Sequence, residues 1–178
     1  MDTKMSPELS ELIQRFQQEM EHVDDVIHVL LKGHLLLEGA LTRIFEQHVF
    51  HSEHLSQIRL SFHQKMVLAR TLCLRKDRLG EWDLLAAINT LRNELAHKLN
   101  SPERDRKLSR VRDLYFREAA GYEGIDEIKK QPDAVIVLYS CAHCAGFLSS
   151  FEADSKSFRK IIHTIDRDLN PELPEFEL

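Results

Sequence analysis

Leu84, Ile88, Leu91 and Leu95 recur at intervals of four, three and four residues, and this period constrains the fold more than any other feature. Placed 100° apart they fall within about 40° of Leu84, with Ala87 beside them. A half-buried strand would instead need apolar residues at every second position. The spacing predicts a helix from about Trp82 to Leu99, closed by Asn100-Ser101-Pro102.

Other segments carry the same period. Ser6-Pro7-Glu8 reads as a helix start, followed by Leu9, Leu12, Ile13, Phe16 and Met20. Asp24-Asp25 is placed to cap a longer helix through Val26, Ile27, Leu30, Leu31, Leu35, Leu37, Leu41, Ile44 and Phe45, with Gly33 and Gly39 allowing close packing. A third helix is expected over about Ser61 to Leu74, then a turn at Lys76-Asp77-Arg78-Leu79-Gly80. Beyond Pro102 come a charged helix over about Glu103–Ala119, a loop at 121–132, an apolar segment from Asp133 to Phe151 and an amphipathic helix over Ser155–Leu169. Ala134-Val135-Ile136-Val137 is the one place where a strand is arguable, but no second strand stands ready to pair with it. The expectation is a single all-α domain, an up-and-down helical bundle with additional C-terminal helices. Its four-helix core covers about residues 6–100, the C-terminal extension 103–169 and a tail 170–178.

The net charge of −5 and pI near 6.1 argue against a protein that coats nucleic acid by bulk electrostatics. Between Lys98 and Arg112, however, six basic residues face two acidic ones, a local balance of +4. The three cysteines do not read as a disulfide framework, and Met1-Asp2-Thr3-Lys4 lacks a signal-peptide core. With no apolar run judged long enough for a membrane span, the chain is expected to be cytoplasmic, with no membrane partner. Cys141-Ala142-His143-Cys144 lacks the second ligand pair of a zinc site, so neither a metal nor another cofactor is expected. No Gly-rich phosphate loop or Gly-x-Ser-x-Gly elbow occurs.

Opposite the leucine stripe, an arc of the 82–99 helix carries Arg92, Ala96, Asn89, Asn93, Ala86 and His97. Asparagine is a poor interior helix former, yet Asn89, Asn93 and His97 follow one another at i, i+4. The arc is too polar for a core and short of lysine and glutamate for a free surface. It suits a meeting with a partner helix or with a ligand. A guanidinium, an imidazole and two amides suit a phosphate.

Leu91-Arg92-Asn93-Glu94-Leu95-Ala96-His97 resembles the Arg-polar-x-x-x-His motif of the HEPN superfamily, small helical bundles that are often ribonucleases. Arg43–His48 has the same spacing but lacks the polar second position. The segments His34–Leu41 and Phe62–Ala69 are similar to helices preceding that motif, and also to those of the mannitol operon repressor family. The likeness covers about residues 10–100.

The resemblance implies a metal-independent endoribonuclease, commonly a homodimer with a composite Arg/His groove, in a setting of bacterial stress or phage defence. His97 would serve as acid or base and Arg92 would hold the scissile phosphate, with Asn93 orienting one or the other. Asn89, Lys98 and Arg104 would contact RNA, and Glu38 would reach in from the neighbouring helix. Leu99 stands where members neutralised by a paired nucleotidyltransferase, as in toxin–antitoxin pairs, often carry tyrosine, which argues against that partner. The alternative is a non-catalytic regulator or protein-interaction module resembling the mannitol operon repressor, with a protein partner in place of RNA.

Overall fold

A computed structural model describes residues 25–97 and 102–174. The expected first helix, Lys98 and the last four residues lie outside them. Among the described residues there are six α-helices, one 3-10 helix and no strand. They are α1 (Asp25–His48), the 3-10 helix (Ser52–Gln57), α2 (Phe62–Leu72), α3 (Glu81–His97), α4 (Arg104–Glu118), α5 (Ile125–Ile128) and α6 (Asp133–Leu169). The all-α expectation holds.

Local chemistry explains several boundaries. Ser61 caps α2: its hydroxyl accepts from the Gln64 backbone N–H, and the Gln64 side chain accepts from the Ser61 N–H. Gly80 precedes α3, and the Glu118 carboxylate lies in the space a Cβ there would take. At the end of α1 the Arg159 guanidinium donates to the carbonyls of Glu46, Gln47 and Val49, at 3.3, 3.3 and 2.9 Å. These are groups a helix C-terminus leaves unpaired.

The order of contacts gives the helices their directions. Gly33 lies against Cys141, Arg43 bonds Glu152 and His48 bonds Ser155, so α1 and α6 run in the same sense. Phe62 stacks on His34 and Lys65 pairs with Glu38, so α2 follows α1 as well. Against α4, α3 runs the opposite way: Lys107 pairs with Glu94, and Arg117 approaches Asp83. The bundle is thus less simply alternating than the apolar pattern implies. The 49–61 and 119–132 segments carry the chain back between helices of like direction.

The C-terminal half shares the core. Ile136, Val137, Cys141, Cys144, Leu148 and Phe151 are buried in one cluster with Leu30, Leu37, Leu41, Trp82, Leu84 and Leu91. Gly33 permits this contact, since a Cβ there would sit 2.5 Å from the Cys141 sulfur. Gly39 has no such role, with nothing nearer than 3.7 Å.

Two expectations are corrected. The segments expected as separate helices around Asp133–Phe151 and Ser155–Leu169 form one continuous helix of 37 residues. No glycine or proline interrupts 152–154, the Ser155 hydroxyl bonds back to the Phe151 carbonyl at 2.9 Å, and Lys156 pairs with Glu152 across one turn. By length and composition this helix is also apolar enough to cross a membrane, contrary to the estimate from sequence. A core helix passes the same test, and here one face of α6 fills the interior of the bundle.

Candidate functional site

The polar arc of α3 meets a polar strip contributed by α1 and α2. Val26, Leu30, His34, Leu37, Leu41 and Ile44 form the buried stripe of α1, so His34 occupies a core position and is only 4% exposed. Its ring stacks on Phe62 at 4.2 Å between centroids. Its Nε2 lies 3.0 Å from Asn89 Oδ1. An amide oxygen only accepts, so Nε2 carries the proton and donates. Burial holds the His34 pKa below its ordinary 6.5 and the charge of Arg92 adds to that, while the Asn89 bond and Glu38 oppose it. His34 is therefore a neutral imidazole at pH 7.

Glu38, one turn further along α1, is paired at 2.9 Å with Lys65 of α2. Arg92 projects from α3 beside this strip. Its NH1 donates to Asn93 Oδ1 at 3.3 Å, but its Nε is buried and has no hydrogen-bond partner among the described residues. A buried guanidinium nitrogen without an acceptor carries a desolvation penalty.

The residues proposed from sequence divide as follows. Arg92 and Asn93 are together. Asn89 is engaged with His34 across the helix interface. His97 ends α3, and its side chain lies outside the described residues. Five residues separate it from Arg92, which places the two Cα–Cβ directions about 140° apart on the helix. One copy of α3 therefore does not aim both groups at one point by helix geometry alone. Lys98 is outside the described residues, and Arg104 begins α4.

The basic run is largely spent on internal pairs. Arg106 binds Glu103, Lys107 binds Glu94 and Arg112 binds Asp133. Arg106, Lys107 and Arg110 also line a groove of about 360 Å³ whose other wall is Asp83, Ala86, Ala87 and Thr90 of α3. The small side chains of α3 leave this space open.

Three contributors to the site, His34, Phe62 and Lys65, were not among the proposed site residues. His34 had a legible signal, a histidine inside the 30–37–41 leucine stripe. Cys141 and Cys144 are buried thiols, and burial pushes Cys141 up to about 12. His143 between them points instead toward Glu81, 3.6 Å away, and the rings of Tyr115 and Tyr122. No protein-family model, curated protein or solved structure matches the chain.

Proposed function

We propose that the protein is a metal-independent endoribonuclease of the HEPN kind, in which Arg92 binds the scissile phosphate and His97 moves the proton. The observation that carries this reading is the state of Arg92. Its Nε is desolvated and lacks an acceptor among the described residues, while NH1 donates to Asn93 Oδ1. A shift of the side chain that uncovered this donor would let a phosphate oxygen satisfy it with a charge-assisted bond. The neutral His34, fixed by Asn89 and Phe62, supports the strip beneath Arg92 without adding a competing charge.

The chemistry follows from the residue types. His97 as base removes the ribose 2′-hydroxyl proton, and the resulting oxyanion attacks the adjacent phosphorus. The bond to the 5′-oxygen breaks, and a protonated imidazole returns a proton to that leaving oxygen. Arg92 stabilises the charge that grows on the non-bridging oxygens. The 140° offset between Arg92 and His97 favours a groove completed by a second copy.

The test is cleavage of single-stranded RNA in EDTA by wild type, Arg92→Ala and His97→Ala. Activity in wild type and loss in both variants, with helicity intact, supports the nuclease. Absence of cleavage by the folded wild type across varied RNAs rejects it. The second reading, a non-catalytic module resembling the mannitol operon repressor, is favoured by the internally satisfied His34–Asn89 and Glu38–Lys65 pairs. It predicts no cleavage by wild type.

A further inference from the structure

We infer that the groove between α3 and α4 binds a small phosphate monoester, one whose uncharged body carries a hydroxyl or amino donor away from the phosphate. Arg106, Lys107 and Arg110 line this space of about 360 Å³. Two of the three are spent, Arg106 on Glu103 and Lys107 on Glu94. Arg110 has no ion-pair or hydrogen-bond partner among the described residues. A cavity with an uncompensated guanidinium on its wall is a place for an anion.

The register of the two helices distributes charge along the groove. Lys107 meets Glu94 toward one end, and Arg117 approaches Asp83 at the other. Arg110 therefore comes level with Thr90. Arg106 is one turn from Arg110 on the same side of α4. Glu103 occupies only one edge of the Arg106 guanidinium, which leaves further donors to share with Arg110. The Thr90 hydroxyl donates to the Ala86 carbonyl at 2.8 Å, so the donors for a phosphate come from the arginines.

The opposite end suits a different group. Asp83 lies seven residues from Thr90 along α3, roughly 10 Å. Arg117 stands 3.7 Å from it, and both side chains are about half exposed, which leaves carboxylate oxygens to accept from a ligand. Between the two ends Ala86 and Ala87 present small apolar side chains. A polyphosphate long enough to span the groove would meet Asp83 as like charge. A molecule with phosphate at one end and a neutral donor at the other uses both. The volume is near the lower limit of ligand pockets, which fits a nucleoside monophosphate or a hexose monophosphate.

This groove is distinct from the Arg92 strip, because Thr90 and Arg92 lie about 160° apart around α3. The inference does not rest on the nuclease reading, and its test does not measure cleavage.

Binding is measured by calorimetry and by ligand-induced thermal shift with inorganic phosphate, adenosine monophosphate and a hexose monophosphate. At least one monoester is expected to bind about tenfold more tightly than inorganic phosphate, and the tighter of the two identifies the body. Arg110→Gln weakens that monoester at least about tenfold. Thr90→Glu sets an acid level with Arg110 and abolishes binding with helicity unchanged. Asp83→Asn weakens the monoester and leaves inorganic phosphate as it was. Arg92→Ala/His97→Ala keeps wild-type affinity. Absence of monoester binding at millimolar concentration, or unchanged affinity in Arg110→Gln or Asp83→Asn, overturns the inference. Loss of binding in Arg92→Ala/His97→Ala also overturns it, by moving the ligand to the candidate nuclease residues. So does a short RNA that binds through Arg110 when neither monoester does, by assigning the groove to a nucleic-acid strand.

Discussion

His34 of α1 donates to Asn89 of α3 across 3.0 Å, in a position where the ring is almost wholly enclosed. The bond joins two helices through one neutral imidazole. Protonation would place a cation in a confined site near Arg92, and burial and that charge both resist it.

Stability therefore depends on pH in a definite direction. His48 is in the same condition: its Nε2 donates to Ser155 Oγ at 3.0 Å, because the Ser155 hydroxyl proton is committed to the Phe151 carbonyl, and burial lowers its pKa. A histidine depressed in the folded state contributes stability that is complete above its unfolded pKa of about 6.5 and is lost as pH falls toward the folded value. Thermal midpoints measured from pH 7.5 to 5 should fall for wild type. They should fall less for His34→Gln and least for His34→Gln/His48→Gln. Identical slopes in all three would refute the assignment.

Gly33 and Gly39 should respond oppositely to alanine. At Gly33 the new methyl meets the Cys141 sulfur at 2.5 Å, inside a packed interface, and should cost about 1–3 kcal/mol by overpacking. At Gly39 the space is open and the helix gains propensity, so Gly39→Ala should stabilise by roughly 0.5–1 kcal/mol. Urea denaturation of the two variants decides the sign of each.

Truncating Arg159 should loosen the end of α1. Arg159→Ala removes a donor that serves three terminal carbonyls and a ring contact over Phe50. A loss of about 1–2 kcal/mol is expected, with faster amide exchange near residues 46–50. Arg159→Lys should recover only part of it, because a point charge does not span the same carbonyls.

Arg92 should trade stability for activity. Replacement by methionine keeps the aliphatic volume and removes the unpaired Nε, so the thermal midpoint should rise by the equivalent of about 1 kcal/mol. RNA cleavage, where wild type shows it, should disappear. A lower midpoint would mean that Arg92 has a structural partner.

Much of the helical plan was legible because Leu84, Ile88, Leu91 and Leu95 repeat with a period no strand tolerates. The same logic misplaced part of α1. Leu35 joined the expected apolar set but is 67% exposed, while His34 takes its place in the interior. Periodicity alone does not say which side of a leucine-rich helix is covered. The Ser61–Gln64 capping pair was readable from its spacing, whereas the His34–Asn89 bond joins residues 55 apart that only the packed bundle brings together. Charge was misleading in a different way. The +4 balance of residues 98–112 counted only charges inside that window, but Glu94 and Asp133 lie outside it and neutralise two of its members. Arg92 and Asn93 were found as a pair because adjacent residues need no tertiary information.

The uninterrupted course of α6 has a mechanical side. Cys141 is locked against Gly33 inside the bundle, and Ile165 stands on the outside of the same rod. With no glycine or proline from Phe147 to Ile165, whatever grips the outer end works a lever whose fulcrum is Ser155. A grip there strong enough to tilt the rod is felt first at α1, the helix that also carries His34 and Glu38.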